Sequence, residues 1–321
     1  MSSPVWDVLP LSIREMLELL PRSVYTRLEE VRIREGRPLE VITPERSWFL
    51  GRSGLERGVE QAYIPSKEDC TKILNLISHH SLYALEEELR RGYVTIEGGH
   101  RIGLVGPAVV EGGRVRRLRS ISGFNLRIAR EVRGAAREVM PYLFRDGRLF
   151  NTLIVSPPQC GKTTLLRDLV RIVSEGEGNI PSYKVGVVDE RSEIAGCVEG
   201  VPQHDVGPRT DVLDACPKAE GMMMMIRSMS PELLVVDEIG RQEDGDAVFE
   251  AMHAGVALFT TAHGRSLEEV SRRPTLSRLL REGAFDRVVL LSRKNGPGTL
   301  EGIFDQSLHR LQRLGKGVPA R

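Results

Sequence analysis

The apolar positions of this chain change character at the polar turn Arg145-Asp-Gly-Arg148. Before it the pattern is mixed. Leu9, Ile13, Leu17 and Leu20 recur at helical spacing, whereas Val31-Arg-Ile33 and Leu39-Glu-Val-Ile42 alternate on either side of Glu35-Gly-Arg-Pro38, as the arms of a hairpin do. Ser66 with Asp69 has the form of a capping box and predicts a helix carrying Ile73, Leu74 and Ile77; a second helix is expected over 82–91. Tyr93-Val-Thr-Ile96, Arg101-Ile-Gly-Leu-Val105, 115–118 and 124–129 then read as strands, turned at Gly98-Gly99 and Gly112-Gly113, and 135–144 reads as helical.

After the turn the apolar runs become nearly continuous, the form of parallel strands buried on both faces. Leu153-Ile-Val155, Lys184-Val-Gly-Val-Val-Asp-Glu190, Pro231-Glu-Leu-Leu-Val-Val-Asp-Glu238 and Ala257-Leu-Phe-Thr-Thr-Ala-His263 each end in polar residues. The expectation is an α+β N-terminal domain over 1–146, followed over 147–321 by an α/β domain with a parallel sheet.

The first of these runs is followed by Ser156-Pro-Pro-Gln-Cys-Gly-Lys-Thr-Thr164 and then by Leu165-Leu166, which reads as strand, phosphate loop and helix. Such a loop binds ATP because backbone N–H groups and a helix N-terminus surround the phosphates while one lysine adds a full charge. Ser156, Pro157, Pro158, Gln159, Cys160 and Gly161 form the loop, Lys162 is the phosphate lysine, and Thr163 is placed to hold Mg²⁺. Thr164 either binds alongside or caps a helix expected to reach Val173. The motif departs from G-x-x-x-x-G-K-[ST] at Ser156, where a glycine is usual, and Gln159 stands where a second loop glycine is common, so strain is expected at the entry to the loop. Asp237 is the second Mg²⁺ partner, through water, and Glu238 is placed to orient and deprotonate the attacking water. His263 is the γ-phosphate sensor. The expectation for this second domain is therefore a RecA-like P-loop ATPase domain.

Composition narrows the setting. Forty-five Lys and Arg against 44 Asp and Glu leave a net charge of +1, so nothing in the balance favours nucleic acid. There is neither an eighteen-residue apolar run nor a signal-like N-terminus, and the four cysteines have no metal-ligand spacing, which reads as a cytoplasmic protein with free thiols. The dense arginines at 114–133 have two functional readings: Arg101, Arg127 and Arg130 as fingers reaching a neighbouring subunit's γ-phosphate, or contacts to nucleic-acid phosphates. Arg209, in the loop 205–214, is a further finger or a turn-stabilising residue. The methionine run at 222–225 reads as a core helix.

Gly98-Gly-His-Arg-Ile-Gly103, Ser192-Glu-Ile-Ala-Gly196, Asp205-Val-Gly-Pro-Arg-Thr-Asp-Val-Leu-Asp214, Cys216-Pro-Lys218, Ile226-Arg-Ser-Met-Ser-Pro231 and Thr261-Ala-His-Gly264 resemble the stage III sporulation protein AA family, which is itself similar to the type II and type IV secretion ATPases. The resemblance runs from about Pro10 to Gln306. It implies a homo-oligomer, a hexameric ring, peripheral at the mother-cell face of the forespore membrane, where it would energise or assemble a channel together with membrane proteins. It also implies that Asp189, Glu190 and Glu193 form an acidic box and that His263 belongs to a histidine box; Glu190 then competes with Glu238 as the base. Two other classes remain open from the sequence: a nucleic-acid-associated ATPase, and a non-hydrolysing nucleotide-gated scaffold.

Overall fold

Strands with one buried face alternate, and strands buried on both faces do not; the two patterns separate into two units in the computed structural model, which describes residues 4–78, 86–129 and 132–311. The compact units are Met1–Arg130 and Glu131–Arg321.

In the first unit Glu30–Arg34 pairs antiparallel with Glu40–Ile42 across the expected hairpin, Val31 opposite Val41. The pair lies inside a seven-stranded sheet that continues on one side through Ser47–Gly51 and Gly54–Glu56, and on the other through Gly123–Arg127, His100–Val105 and Tyr93–Ile96. One face, with Val31, Ile33, Val41, Val94, Ile102 and Leu126, shares a core with Ile13 and Leu17 of helix Leu11–Glu18 and with Ile73 and Ile77 of helix Lys67–Ile77. Ser66 and Asp69 make the reciprocal capping box that the sequence predicts. Of the helix expected at 82–91, Glu86–Arg91 is helical and the rest lies outside the described residues.

In the second unit seven strands run in the order Thr210–Asp214, Val185–Asp189, Leu233–Val236, Ala257–His263, Thr152–Ser156, Arg287–Ser292 and Thr299–Asp305. All neighbouring pairs are parallel except the last, so this unit is α/β with a largely parallel sheet. Helix Lys162–Glu175 covers one face, over Ile154, Val187, Val235 and Phe259. Helices Lys218–Met229, Gln242–His253 and Pro274–Arg281 cover the other, over Leu153, Val188, Leu234 and Leu258. Met222 and Met225 are buried in that layer, while Met224 is exposed. Among the described residues no helix is long and apolar enough to cross a membrane.

The helix expected at 135–144 is corrected. Only Met140–Leu143 is helical, and it is followed by a short pair, Phe144–Arg145 with Arg148–Leu149. The Ala136 N–H donates to Asp168 on the long helix at 2.8 Å, and Pro141 has no N–H to extend a helical ladder. Ala136, Val139, Met140 and Leu143 belong to the second unit's core, which puts the division between units before them rather than at the 145–148 turn.

The carboxylate that holds this segment, Asp168, is buried and paired with the equally buried Arg171 at 2.9 Å. Asp168→Ala leaves the Ala136 N–H without its acceptor and the Arg171 guanidinium with Glu175 and Glu177 alone. It is expected to cost about 1–3 kcal/mol of unfolding free energy in a denaturant titration.

Candidate functional site

In a parallel sheet the carboxyl ends of all strands lie at one edge, so residues that end separate apolar runs come together there. Ser156 and His263 are register partners on adjacent parallel strands. The strand Ala257–His263 stands between the loop strand and Leu233–Val236, which Asp237 and Glu238 follow.

The loop between Ser156 and the long helix closes around the Lys162 ammonium. Lys162 is buried, and its Nζ donates to Ser156 O at 3.3 Å, Ser156 Oγ at 3.4 Å and Pro157 O at 3.3 Å. It also meets His263 Nδ1 at 2.9 Å. Burial pushes the ammonium down from the ordinary lysine value, and the charges of Asp237 and Glu238 oppose that. An ammonium only donates, so Nδ1 of His263 accepts and the ring proton sits on Nε2, 3.2 Å from Glu238 Oε1. Lys162, His263 and Glu238 thus form a continuous polar chain.

The strain expected at Ser156 lies elsewhere. Left-handed backbone occurs at Gln159 (φ 58°) and at Gly161 (φ 81°), while Ser156 is held by its own hydroxyl bond to Pro157 O. Gly161 also needs the space: a Cβ there would meet Gly298 N at 3.0 Å, and Gly298 N donates to Cys160 O. The turn that follows strand Arg287–Ser292 therefore braces the loop, a contribution that no motif announced. Thr164 does not cap the helix; Gly161 holds the N-cap position, and Thr164 sits one turn in, lining a small cleft with Arg167 and Asp168. Pro157 and Pro158 have no N–H to offer a phosphate, which leaves Gln159 to Thr163 as the loop's donors.

The carboxylates divide by role. Asp189 is buried and accepts from the N–H groups of Glu193, Ile194 and Ala195, each at 2.9 Å, while burial pushes its carboxyl up to about 6. It shapes the following turn. Arg167 of the long helix holds the same turn through the carbonyls of Ile194 at 2.6 Å and Glu193 at 2.7 Å. Glu190 is ion-paired with Lys218. Asp237 accepts from the Thr261 hydroxyl, which in turn accepts from Glu238 N at 2.8 Å. Glu238 itself has φ 52°, so its carboxylate is aimed by a backbone that L residues rarely adopt. Its second oxygen meets Arg191 Nη1 at 2.9 Å. Thr261, Arg191 and Lys218 thus join the site although the sequence reading gave them no role; Thr261 and Lys218 stood inside the quoted motifs.

Among the described residues no three His, Cys, Asp or Glu side chains gather tightly enough to hold a metal alone. Thr163 and Asp237 fit a different demand. Mg²⁺ on a nucleotide takes one or two protein oxygens and completes its shell from phosphate and water. The Asp237 carboxylate has one oxygen on Thr261 and a second that no hydrogen bond occupies among the described residues.

The arginines fall differently. Arg209 donates to Ser182 O at 2.7 Å and precedes the amino end of its strand, so it fastens a turn at the edge of the sheet opposite the loop. Arg101 and Arg127, in the first unit, are register partners on adjacent strands; Arg101 lies over the Tyr93 ring at 3.4 Å, and Arg127 pairs with Glu30 at 3.5 Å. Arg130 lies outside the described residues.

Two substitutions test this arrangement. Gln159→Gly removes a left-handed penalty of about 1 kcal/mol and is expected to raise stability by that order in urea unfolding. Asp189→Ala leaves three N–H groups without their acceptor and should lower stability by about 1–3 kcal/mol in the same titration.

The profile of the family described as Sporulation stage III, protein AA matches residues 2–311. Stage III sporulation protein AA of Bacillus subtilis (strain 168) is 52% identical over 307 residues, 96% of either chain. The uncharacterized protein ycf45 of Cyanidium caldarium is 27% identical over 282 residues, 87% of this chain and 76% of that protein. Among solved structures, the ATPase DotB of Legionella pneumophila superposes with a TM-score of 0.57 at 16% identity, over 90% of this chain and 76% of that one. The pilus retraction motor PilT with bound ADP gives 0.55 at 15% identity, over 87% and 76%. At such identities the superpositions speak for the fold alone. By the extent of the profile match and the likeness to the Bacillus protein, this chain belongs to the stage III sporulation protein AA family.

Proposed function

We propose that this protein is an ATP-hydrolysing motor of RecA-like fold. It acts as a hexameric homo-oligomer, peripheral at the mother-cell face of the forespore membrane, and energises or assembles a channel with membrane proteins of the sporulation apparatus. One observation carries the reading: Lys162 at the helix start, hydrogen-bonded to His263, and Glu238, 3.2 Å from the other nitrogen of that ring, form one polar chain beside the loop. A structural lysine needs no buried charge at a helix start, whereas a phosphate site does.

In this reading the β- and γ-phosphates take over the Lys162 ammonium from the Ser156 and Pro157 carbonyls, and the N–H groups of Gln159 to Thr163 surround them. Thr163 and Asp237 would hold Mg²⁺, which neutralises charge on the phosphates when bound. Glu238 orients the attacking water and accepts its proton, and His263 follows the γ-phosphate through its link to Lys162. Glu190, ion-paired with Lys218, is the alternative base. The likeness in fold to a pilus retraction motor and to the ATPase DotB supports motor chemistry; the family supports the setting in sporulation.

Steady-state phosphate release from Mg·ATP, measured over a range of protein concentrations, tests the proposal. Turnover per chain should rise with concentration as subunits assemble. Lys162→Ala should weaken ATP binding at least about 100-fold, and Glu238→Gln should bind ATP but turn over about 100-fold or more slowly. ATP binding by the wild type with no turnover at any concentration would replace the motor by a nucleotide-gated scaffold.

A further inference from the structure

A general base must offer an oxygen to water, and in this structure both oxygens of the Glu238 carboxylate already face a polar or charged neighbour that competes for that role. Oε1 lies 3.2 Å from His263 Nε2 and Oε2 lies 2.9 Å from Arg191 Nη1. The His263 contact belongs to the chain that leads to Lys162. The Arg191 contact does not, and its origin is specific.

Arg191 sits on the turn 190–195, and the groups around it are bound elsewhere. Glu190 pairs with Lys218, and the Ser192 hydroxyl donates to Asp214. Asp189 gathers three N–H groups of the turn, and Arg167 holds two of its carbonyls. Ser192 has φ 51°, so the chain reverses direction immediately after Arg191. The turn is thus held by its own backbone bonds, and the Arg191 side chain meets Glu238 while remaining 55% exposed. Arg167 belongs to the helix that starts at Lys162, so the turn and the loop are fixed to one element. A half-exposed guanidinium on a turn fastened through its backbone, beside the loop after Ser156, can change partner without refolding that turn.

We propose that Arg191 is the trigger of the site: it pairs with Glu238 before ATP binds and transfers to the γ-phosphate afterwards, freeing Oε2 for the attacking water. The chemistry favours the exchange. A terminal phosphate carries nearly twice the charge of a carboxylate and offers three oxygens to the planar guanidinium fork. ADP has no γ-phosphate and leaves the Glu238 pair intact. The inference rests on the nucleotide reading above and adds to it a residue that tells ATP from ADP within the same chain.

Equilibrium binding of ATP and of ADP to the full-length protein, each with Mg²⁺, reads this directly. Arg191→Ala should weaken ATP binding about 10-fold or more while changing ADP binding less than about 2-fold, with Arg191→Lys recovering part of the loss because it keeps the charge but not the fork. Glu238→Gln removes the competing carboxylate and should tighten ATP binding a few-fold, an effect that vanishes in the Arg191→Ala background. Turnover should fall in Arg191→Ala. An unchanged ATP to ADP ratio in folded Arg191→Ala protein, or faster turnover, overturns the trigger; the second result would make Arg191 a plain latch. A wild type that binds neither nucleotide overturns the nucleotide reading and this inference with it, whereas a wild type that prefers ATP beside an equally selective Arg191→Ala overturns this inference alone.

Discussion

A buried ammonium must be surrounded by acceptors, and the second unit is organised around that requirement at Lys162. Its Nζ draws the Ser156 and Pro157 carbonyls inward, which curls the loop, and it engages His263 from the neighbouring strand, which ties the loop to the sheet's central strands. Without those partners the charge would cost several kcal/mol, and the loop would open. The proposed nucleotide reading uses the same requirement: a phosphate is a better partner for an ammonium than a carbonyl is, so a ligand of that kind would replace contacts already in place.

Around this charge the backbone stores strain where side chains must be aimed. Gln159, Ser192 and Glu238 all have φ between 50° and 60°, conformations that cost L residues about 1–2 kcal/mol each. Each follows or precedes a strand end, and each is held by bonds that a relaxed chain would not keep. Thr261 accepts from Glu238 N, Asp189 binds the turn after Ser192, and the Gly298 turn presses on the loop after Gln159. Strain at such points is tolerable because the sheet behind them is buried almost completely, with Leu153, Ile154, Val155 and Leu233 to Val236 inaccessible to solvent.

Membership of the stage III sporulation protein AA family and a fold shared with DotB and PilT at 15–16% identity describe the same molecule at two levels. The architecture survives wide divergence because a parallel sheet needs only apolar strands and covering helices. The proposed function rests instead on a handful of residues at one edge of the sheet.

From the sequence alone the strands of the second unit were legible, because a strand buried on both faces must be apolar throughout and its polar ends then mark one edge of the sheet. The first unit's hairpin and the Ser66–Asp69 cap were legible for similarly local reasons. The short strands at 47–51, 54–56 and 108–111 were not, although each pairs with a neighbour close in sequence, and the helix expected at 135–144 failed where Pro141 has no N–H to carry its ladder. Lys162, Asp237, Glu238 and His263 could be named from strand-end chemistry, but which groups they touch is set by register between strands about a hundred residues apart. Arg191 is the clearest case: along the chain it is one arginine in a polar turn, and only the left-handed turn at Ser192, the three N–H groups bound by Asp189 and the fold that brings 191 beside 238 turn it toward a carboxylate.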